Sequence, residues 1–445
     1  MFTLVLRYPG TMTQLHHVFR LLSTSPISQY WENIVLLVEP SLHHDQIAKA
    51  CRNMEGKVAV KTVLEQNVPL IYNDLLKSVK ESWICSMNLA SGIKTLAALP
   101  QLAQTVRAYP KLVGFGIGTE RGNTFPDLFC WNRPALNKKG GWPLRKDWPF
   151  TDTADHYVWA SLPDSDKLSM ILESQRDRGE QPLFWQRQKE RWLNSFLSHI
   201  TPKRSPILKS VPSVSVMMSA YNEQDCISWA IQSVLYQTMP HFELIIVNDG
   251  STDETVKEID AIADSRITLV SHTSNRGKVH RLNEALALAR GELLFELDAD
   301  DWLGPEALDW AVKTMHSQPT DVAMIYGDRL FWNEDSFGRL TIRHEQKGRR
   351  IWSRQQYLQQ LTPVGPRVYR RHALEQVNGW PVDAFYSGRL YEDVRVILHL
   401  LDDYHVAYVP GLHYHVRMRA NSVTHRHQQQ FNKWKAWIQQ RYSKT

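Results

Sequence analysis

The chain of 445 residues contains no apolar run that approaches the ~20 residues needed to cross a bilayer. Its opening MFTLVLRYPG lacks the basic n-region and long apolar segment of a secretory leader, so the expectation is a cytoplasmic protein. Cysteine is scarce: Cys51, Cys85, Cys130 and Cys226 fall without metal-ligand spacing, which reads as reduced, mostly buried thiols. There is no strong charge of one sign either. The formal net charge of +6 is modest for this length, and no nucleic acid is expected as a partner. What basic excess there is gathers in RHEQKGRR (343–350) and from Arg417 onward, as either a solvated face or a contact for an anionic partner.

What is present is globular composition, 43% hydrophobic and 22% charged, in a length that suggests two to three domains. Residues 163–200 are polar and rich in helix formers. They are followed by TPKRSPILKSVPSV, where Pro202, Pro206 and Pro212 rule out a continuous helix. This sets four expected segments: 1–162, a helical and proline-containing linker 163–212, a main domain 213–425, and a basic amphipathic helix 426–445. In that last helix Phe431, Trp434 and Ile438 share a face, suited to a membrane surface or to the protein's own core.

After residue 212, SVSVMM, FELIIV, RITLV and ELLFEL read as strands apolar on both faces. Helical patterns at 226–237, 253–263 and 280–290 separate them. The alternation predicts an open parallel α/β sheet with helices on both sides, and ligands then gather outside the strands' carboxyl ends. Three turns, SAYNE, VNDGSTD and LDADD, occupy those ends. In the last, a helix cap at Asp301 accounts for one carboxylate and leaves Asp298 and Asp300 repelling each other. An EF-hand needs glycine where Leu303 stands. A divalent ion, Mg²⁺ or Mn²⁺, held by carboxylates and phosphate oxygens, resolves the repulsion.

These turns, together with NRGKVHRLNEALALARGELLFELDADD and FYSGRLYEDVRV in the same order, resemble a family 2 glycosyltransferase of the GT-A fold over residues 213–425. The resemblance implies that Asp249 contacts the nucleobase while Tyr221 and Glu223, with Ser219, line the nucleotide pocket. It further implies that Asp298 and Asp300 hold the metal on a diphosphate and that Asp393 is the base. A carboxylate opposite the leaving diphosphate takes the proton of the attacking hydroxyl and inverts the anomeric centre. Glu392 orients the acceptor or assists the base. Arg276, Lys278 and Arg281 either meet phosphates or solvate the face, and Gly277 permits close backbone approach. His413 and His415 are either a metal ligand or structural, because Met418 and Arg419 break the family's Tyr-Arg-x-His spacing. Trp380 in NGWP is an acceptor wall or a core aromatic.

The N-terminal half reads as a second copy. WNRPALNKKGGWP (131–143) parallels YRRHALEQVNGWP (369–381), and YNDLLKSVKESWICSMNLAS (72–91) parallels LNEALALARGELLFELDADD (282–301). NIVLLVEPS and LVLRYPG keep the order. Asn88 and Ala90 replace Asp298 and Asp300, only Glu39 lies near the position of Asp249, and Asp155 alone lines up with Asp393, beside Ala154 in place of Glu392. The expected architecture is α/β with two tandem GT-A domains, the first degenerate and non-catalytic. The expected activity is transfer from a nucleotide-sugar donor, UDP-linked, to a saccharide or lipid-linked acceptor in cell-surface glycan synthesis. Two alternatives are a non-catalytic nucleotide-sugar or glycan-binding scaffold and a sugar nucleotidyltransferase; the latter's glycine-rich loop is missing from SAYNEQD.

Overall fold

The computed structural model describes residues 2–8, 12–23, 27–38, 47, 51, 54, 57–62, 68–88, 96, 98–118, 128–142, 154–171, 211–334, 340–382, 391–419 and 431–442. They fall into two compact units, one holding the described residues up to 171 and the other those from 211. No helix among them is long and apolar enough to cross a membrane.

The first unit is built on seven strands: β1 (Phe2–Tyr8), β2 (Trp31–Val38), β3 (Val58–Thr62), β4 (Trp83–Asn88), β5 (Gly114–Gly118), β6 (Leu128–Asn132) and β7 (Lys167–Ile171). Their order in the sheet is β3-β2-β1-β4-β6-β5-β7. β7 lies inside the stretch expected to be a helical linker. The short KLSMI run pairs parallel with β5 and completes the sheet edge, a long-range pairing that helix-forming composition does not reveal. The linker's remainder, 172–210, lies outside the described residues, as do Glu39 and Ala90.

The second unit has nine strands: β8 (Val214–Ala220), β9 (Phe242–Asn248), β10 (Ile267–Ser271), β11 (Leu293–Glu296), β12 (Trp302–Leu303), β13 (Val322–Glu334), β14 (Leu340–Gln346), β15 (Arg367–Arg370) and β16 (His405–Met418). The order is β10-β9-β8-β11-β15-β13-β16-β12, with β14 paired to β13. The sheet is mixed, where sequence alternation predicted a parallel one. β8 to β11 are parallel, but β15 runs against β11 and β13 against β15. One sheet face packs Val214, Val216 and Met218 under helices Ile227–Leu235 and Ala307–His316. The other packs Met217, Leu294, Met324 and Tyr369 under helices Lys278–Leu288, Arg354–Gln360 and Glu392–Asp403.

Helix Phe431–Tyr442 joins this second core. Trp434 and Ile438 are fully buried and Tyr442 nearly so, which packs these residues of the helix on the protein's own core. Of the two readings of that face, core packing holds for Trp434 and Ile438.

The two sheets share one topology. Strands β3, β2, β1, β4, β6, β5 and β7 correspond in order and direction to β10, β9, β8, β11, β15, β13 and β16. Phe2 faces Trp83 as Val214 faces Leu293, and Trp83 faces Asn132 as Leu293 faces Arg370. This register matches the sequence repeat. It sets Ser86 against Glu296, Asn88 against Asp298, Phe129 against Arg367 and Trp131 against Tyr369.

A shared clamp ties the NGWP and GGWP corners to the preceding helices. Asn73 donates to the Trp142 carbonyl and accepts from its N–H, both at 2.9 Å. Asn283 does the same with Trp380 at 2.9 and 2.8 Å. The glycines before these tryptophans, Gly141 and Gly379, sit at φ 76° and 70°, and an added Cβ would lie 2.2 and 2.3 Å from the asparagine Oδ1. Glycine is needed there on both counts. Removing either asparagine amide strands a backbone N–H and a carbonyl, so Asn73→Ala and Asn283→Ala should each cost about 1–3 kcal/mol, read as lowered urea midpoints. Unchanged midpoints would show that the clamp carries no stability.

Candidate active site

At the carboxyl end of β11 a chain of alternating charges forms. Glu296, fully buried, accepts two hydrogen bonds from the Arg367 guanidinium, at 2.9 Å from Nε and 2.7 Å from Nη2. It takes a third from Tyr369 at 3.1 Å. Burial opposes its ionisation, but Arg367 and Lys278 outweigh that and hold its pKa down to about 2. Arg367 also stands 3.6 Å from Asp393 and 3.9 Å from Asp298. Lys278 Nζ lies at 2.6 Å from Asp298, 2.9 Å from Glu392 and 3.1 Å from Glu296. Burial disfavours the ammonium there, yet Asp298, Glu392 and Glu296 together raise its pKa well above the usual lysine value. The structure thus brings Lys278, Asp298, Glu392 and Asp393 into one cluster. Glu392 has its carboxylate on Lys278, and its pKa is raised chiefly by burial.

Asp300 belongs to the same rim. Its Oδ2 accepts from Arg419 at 2.9 Å, and Arg419 also donates to Glu223 at 2.8 Å. Burial first, and Asp300 next, push the Glu223 pKa up to about 7 against the pull of Arg419. Asp301, expected as a helix cap, instead accepts the Arg417 N–H at 2.8 Å; the following helix starts only at Ala307. It fastens β16 to the DADD turn, and Arg417 Nε donates to the Asp300 carbonyl at 3.1 Å.

Asp298, Asp300, Asp301 and Glu223 thus gather oxygen donors around the turn, with Lys278, Arg417 and Arg419 among them. Hard oxygen donors in a negative site suit Mg²⁺ or Mn²⁺. Among the described residues no ready-made cluster of three or more metal-binding side chains exists, so Asp298 and Asp300 would need ligand oxygens to complete a shell.

Asp249 follows β9 and is 2% exposed. Its carboxylate accepts the N–H groups of Arg276 and Gly277, each at 2.8 Å, and Arg281 Nε at 2.6 Å. Gly277, at φ 103°, is the turn that delivers its N–H to Asp249 and starts helix Lys278–Leu288. Arg281 is a buried clamp, bonded also to Ser274 O and Glu284; the phosphate-facing reading of this arginine is corrected, since its side chain is only 3% exposed. Ser219 lies near the end of β8 and Tyr221, just beyond it, is 45% exposed.

Of the two readings of Trp380, the core aromatic holds. At 1% exposed and packed edge-on to Tyr369, its indole offers no wall to an acceptor. His415 is structural: it stacks on Trp302, accepts from Trp332 Nε1 at 3.0 Å through Nδ1, and burial drives its pKa to about 3.

Sequence reasoning passed over Glu296, Arg367 and the role of Arg419. A glutamate inside the apolar run LLFEL was the available signal for the first, because an unpaired carboxylate is not tolerated at a buried strand position. Its partner, 71 residues away, carried no signal of its own.

Residues 215–377 match the family model described as glycosyl transferase family 2. This segment is a family 2 glycosyltransferase domain. An uncharacterized glycosyltransferase of Haemophilus influenzae is 34% identical over 119 residues, 26% of this chain and 37% of that protein. The UDP-Glc:alpha-D-GlcNAc-diphosphoundecaprenol beta-1,3-glucosyltransferase WfgD of Escherichia coli is 32% identical over 123 residues, 28% of this chain and 48% of that protein. The chain thus spans less than half the length of either relative. Among solved structures, S. aureus TarS 1–349 with UDP-GlcNAc matches at TM-score 0.37 and 18% identity, covering 47% of this chain and 60% of that one. The mannosyltransferase PcManGT of Pyrobaculum calidifontis, in complex with GDP-Man and Mn²⁺, matches at TM-score 0.36 and 22% identity, covering 54% and 65%.

Two predictions follow from the charge arrangement of this family 2 domain. Arg367→Met leaves Glu296 buried with Lys278 and the Tyr369 hydroxyl but without its guanidinium and should cost about 3–5 kcal/mol; adding Glu296→Gln should return part of it, measured by chemical unfolding. No recovery in the double variant would mean that the pair is not the source of the loss. For Glu223, the folded pKa of about 7 exceeds the usual carboxylate value of 4.5. The native state then holds a proton that the unfolded chain releases, so this group's contribution to stability falls as pH rises from about 4.5 through 7. Glu223→Gln should flatten that decline in Tm, and an unaltered pH profile would refute the assignment.

Proposed function

We propose that the second unit is an inverting, metal-dependent glycosyltransferase. It would move a sugar from a nucleotide-diphospho-sugar, UDP-linked, to a hydroxyl of a saccharide or lipid-linked acceptor in cell-surface glycan synthesis. The observation that carries this reading is the meeting of Asp298 and Asp393 on one guanidinium, Arg367, at 3.9 and 3.6 Å. A candidate diphosphate-holding carboxylate and a candidate base thereby share one cation, which keeps them near each other. Family membership and the similarity to a UDP-glucose enzyme with a diphospholipid-linked acceptor agree with it.

In this mechanism Asp298 and Asp300 hold Mn²⁺ or Mg²⁺, which when bound neutralises charge on the leaving diphosphate. Asp393 accepts the proton of the acceptor hydroxyl as that oxygen attacks the face opposite the diphosphate, inverting the centre. Lys278 and Arg367 fix the two carboxylates relative to each other. Asp249, with three of its acceptor positions taken by protein donors, keeps one on Oδ2 for an N–H on the edge of a base. Ser219, Tyr221 and Glu223 border the same nucleotide space, and Gly277 keeps its backbone close.

The first unit is a degenerate GT-A-like domain with no catalysis in this reading, supported by the shared strand order and register. The row that would carry the charge chain is neutral there: Ser86 and Phe129 stand for Glu296 and Arg367. Arg7 stands at the register of Ser219. Asp155, the retained carboxylate, accepts the indole N–H groups of Trp131 and Trp142, both at 2.8 Å. Its pKa is raised by burial. It serves the core.

Hydrolysis of UDP-sugars with Mn²⁺ tests the reading. Asp300→Ala should lower turnover by about 10²-fold or more, and Asp393→Asn should lower transfer to an acceptor by about 10²–10⁴-fold. Asp155→Asn should lower the unfolding midpoint and leave transfer per folded molecule unchanged. Equal rates in wild type and Asp300→Ala would favour the non-catalytic scaffold.

A further inference from the structure

Between β14 and helix Arg354–Gln360 the chain reads KGRRIWS, with no acidic residue from Gln346 to Ser353. Lys347, Arg349 and Arg350 are exposed, and among the described residues none of the three makes an ion pair. Trp352 is 70% exposed, and the Arg350 guanidinium lies 5.5 Å from its ring centroid. The exposed indole and three cations without ion-pair partners among the described residues together offer an apolar ring face and anion-binding groups on one loop.

The loop is not a loose appendage. Tyr326 Oη donates to the Arg349 carbonyl at 2.8 Å and accepts the Ile351 N–H at 3.0 Å. Gly348 N–H donates to Asp328 at 2.9 Å, and Gln346 accepts from Arg329 at 2.6 Å. Tyr326 is the cross-strand partner of Arg367, which is the cross-strand partner of Glu296. Directly opposed residues share a sheet face a few ångströms apart. The phenol that pins the loop therefore belongs to the same row as the guanidinium beside Asp393. Arg329, beneath the loop, lies within electrostatic reach of both Asp393 and Arg367.

We propose that this loop is the acceptor-recognition surface and that it selects an anionic saccharide. Lys347, Arg349 and Arg350 meet carboxylate or phosphate groups on the acceptor, and Trp352 stacks on the apolar face of a sugar ring next to the reacting one. This rests on the transferase reading above and adds the chemical class of the acceptor. Position favours it over docking on an anionic membrane: the loop is anchored through Tyr326 to the row whose Arg367 stands 3.6 Å from Asp393. Charge-assisted hydrogen bonds of this kind supply selectivity as well as affinity.

The experiment compares acceptor KM, with a panel of UDP-sugars and Mn²⁺, for three probes: chitotetraose as a neutral chain, a hyaluronan tetrasaccharide as a uronate-bearing one, and octyl-diphospho-N-acetylglucosamine as a phosphate-bearing one. Wild type should prefer one or both anionic probes. The triple variant Lys347→Ala, Arg349→Ala, Arg350→Ala should raise KM for the preferred anionic probe by about tenfold or more while chitotetraose shifts by less than about twofold. The two anionic arms identify which group is read, and the ratio within each variant corrects for any loss of folded protein. Trp352→Ala should raise KM for all acceptors used. Equal preference for neutral and anionic probes in wild type overturns the inference and leaves the transferase reading standing. Loss of co-sedimentation with phosphatidylglycerol vesicles in the triple variant, with KM ratios unchanged, overturns it in favour of membrane docking. Absence of both donor hydrolysis and transfer in wild type overturns both readings.

Discussion

The buried pair of Glu296 and Arg367 is the constraint on which the second unit's chemistry depends. Placing a carboxylate at a fully covered position in a sheet is costly, and here a hydrogen-bonded cation in the same layer offsets it. Arg367 supplies that cation, and its remaining reach falls on Asp298 at one side and Asp393 at the other. Lys278 closes the circuit from the start of its helix by touching Glu296, Asp298 and Glu392. Strand end, turn and helix start are thereby held in mutual register by charges that cannot separate without leaving one of them buried and unpaired.

The first unit is a natural control for this arrangement. It has the same strand order, the same asparagine clamp and the same glycine geometry at the corner before the tryptophan. At the equivalent row it carries serine and phenylalanine, so the scaffold does not require the ion pair. Its carboxylate, Asp155, is satisfied by two indole N–H groups, whereas Asp393 faces Arg367. With a shared strand order, the two sheets hold Glu296 and Arg367 in one and Ser86 and Phe129 in the other, while Asp155 is bonded to two indoles within reach of Arg7.

Trp380, left open by the sequence as wall or core, and Arg281, expected to face phosphate or solvent, are both buried and both anchor the motif's backbone. Gly277 and Arg281 hold Asp249 by spending donors on it, and Asn283 holds the Trp380 corner. Residues that surround a site in sequence are as often its supports as its contacts.

The sequence by itself determined the α/β alternation after residue 212, the repeat and its register, and the three strand-end turns. These depend on local apolar periodicity and on collinear matches, which short windows carry. The tertiary structure decided the antiparallel entry of β15 and β13, the seventh strand of the first unit, and the partner of Glu296. Each of these joins residues far apart in the chain, and the energy that selects them comes from burial and charge pairing across strands. A lone glutamate in an apolar run announces that a cation must exist; only the folded sheet says that it is Arg367.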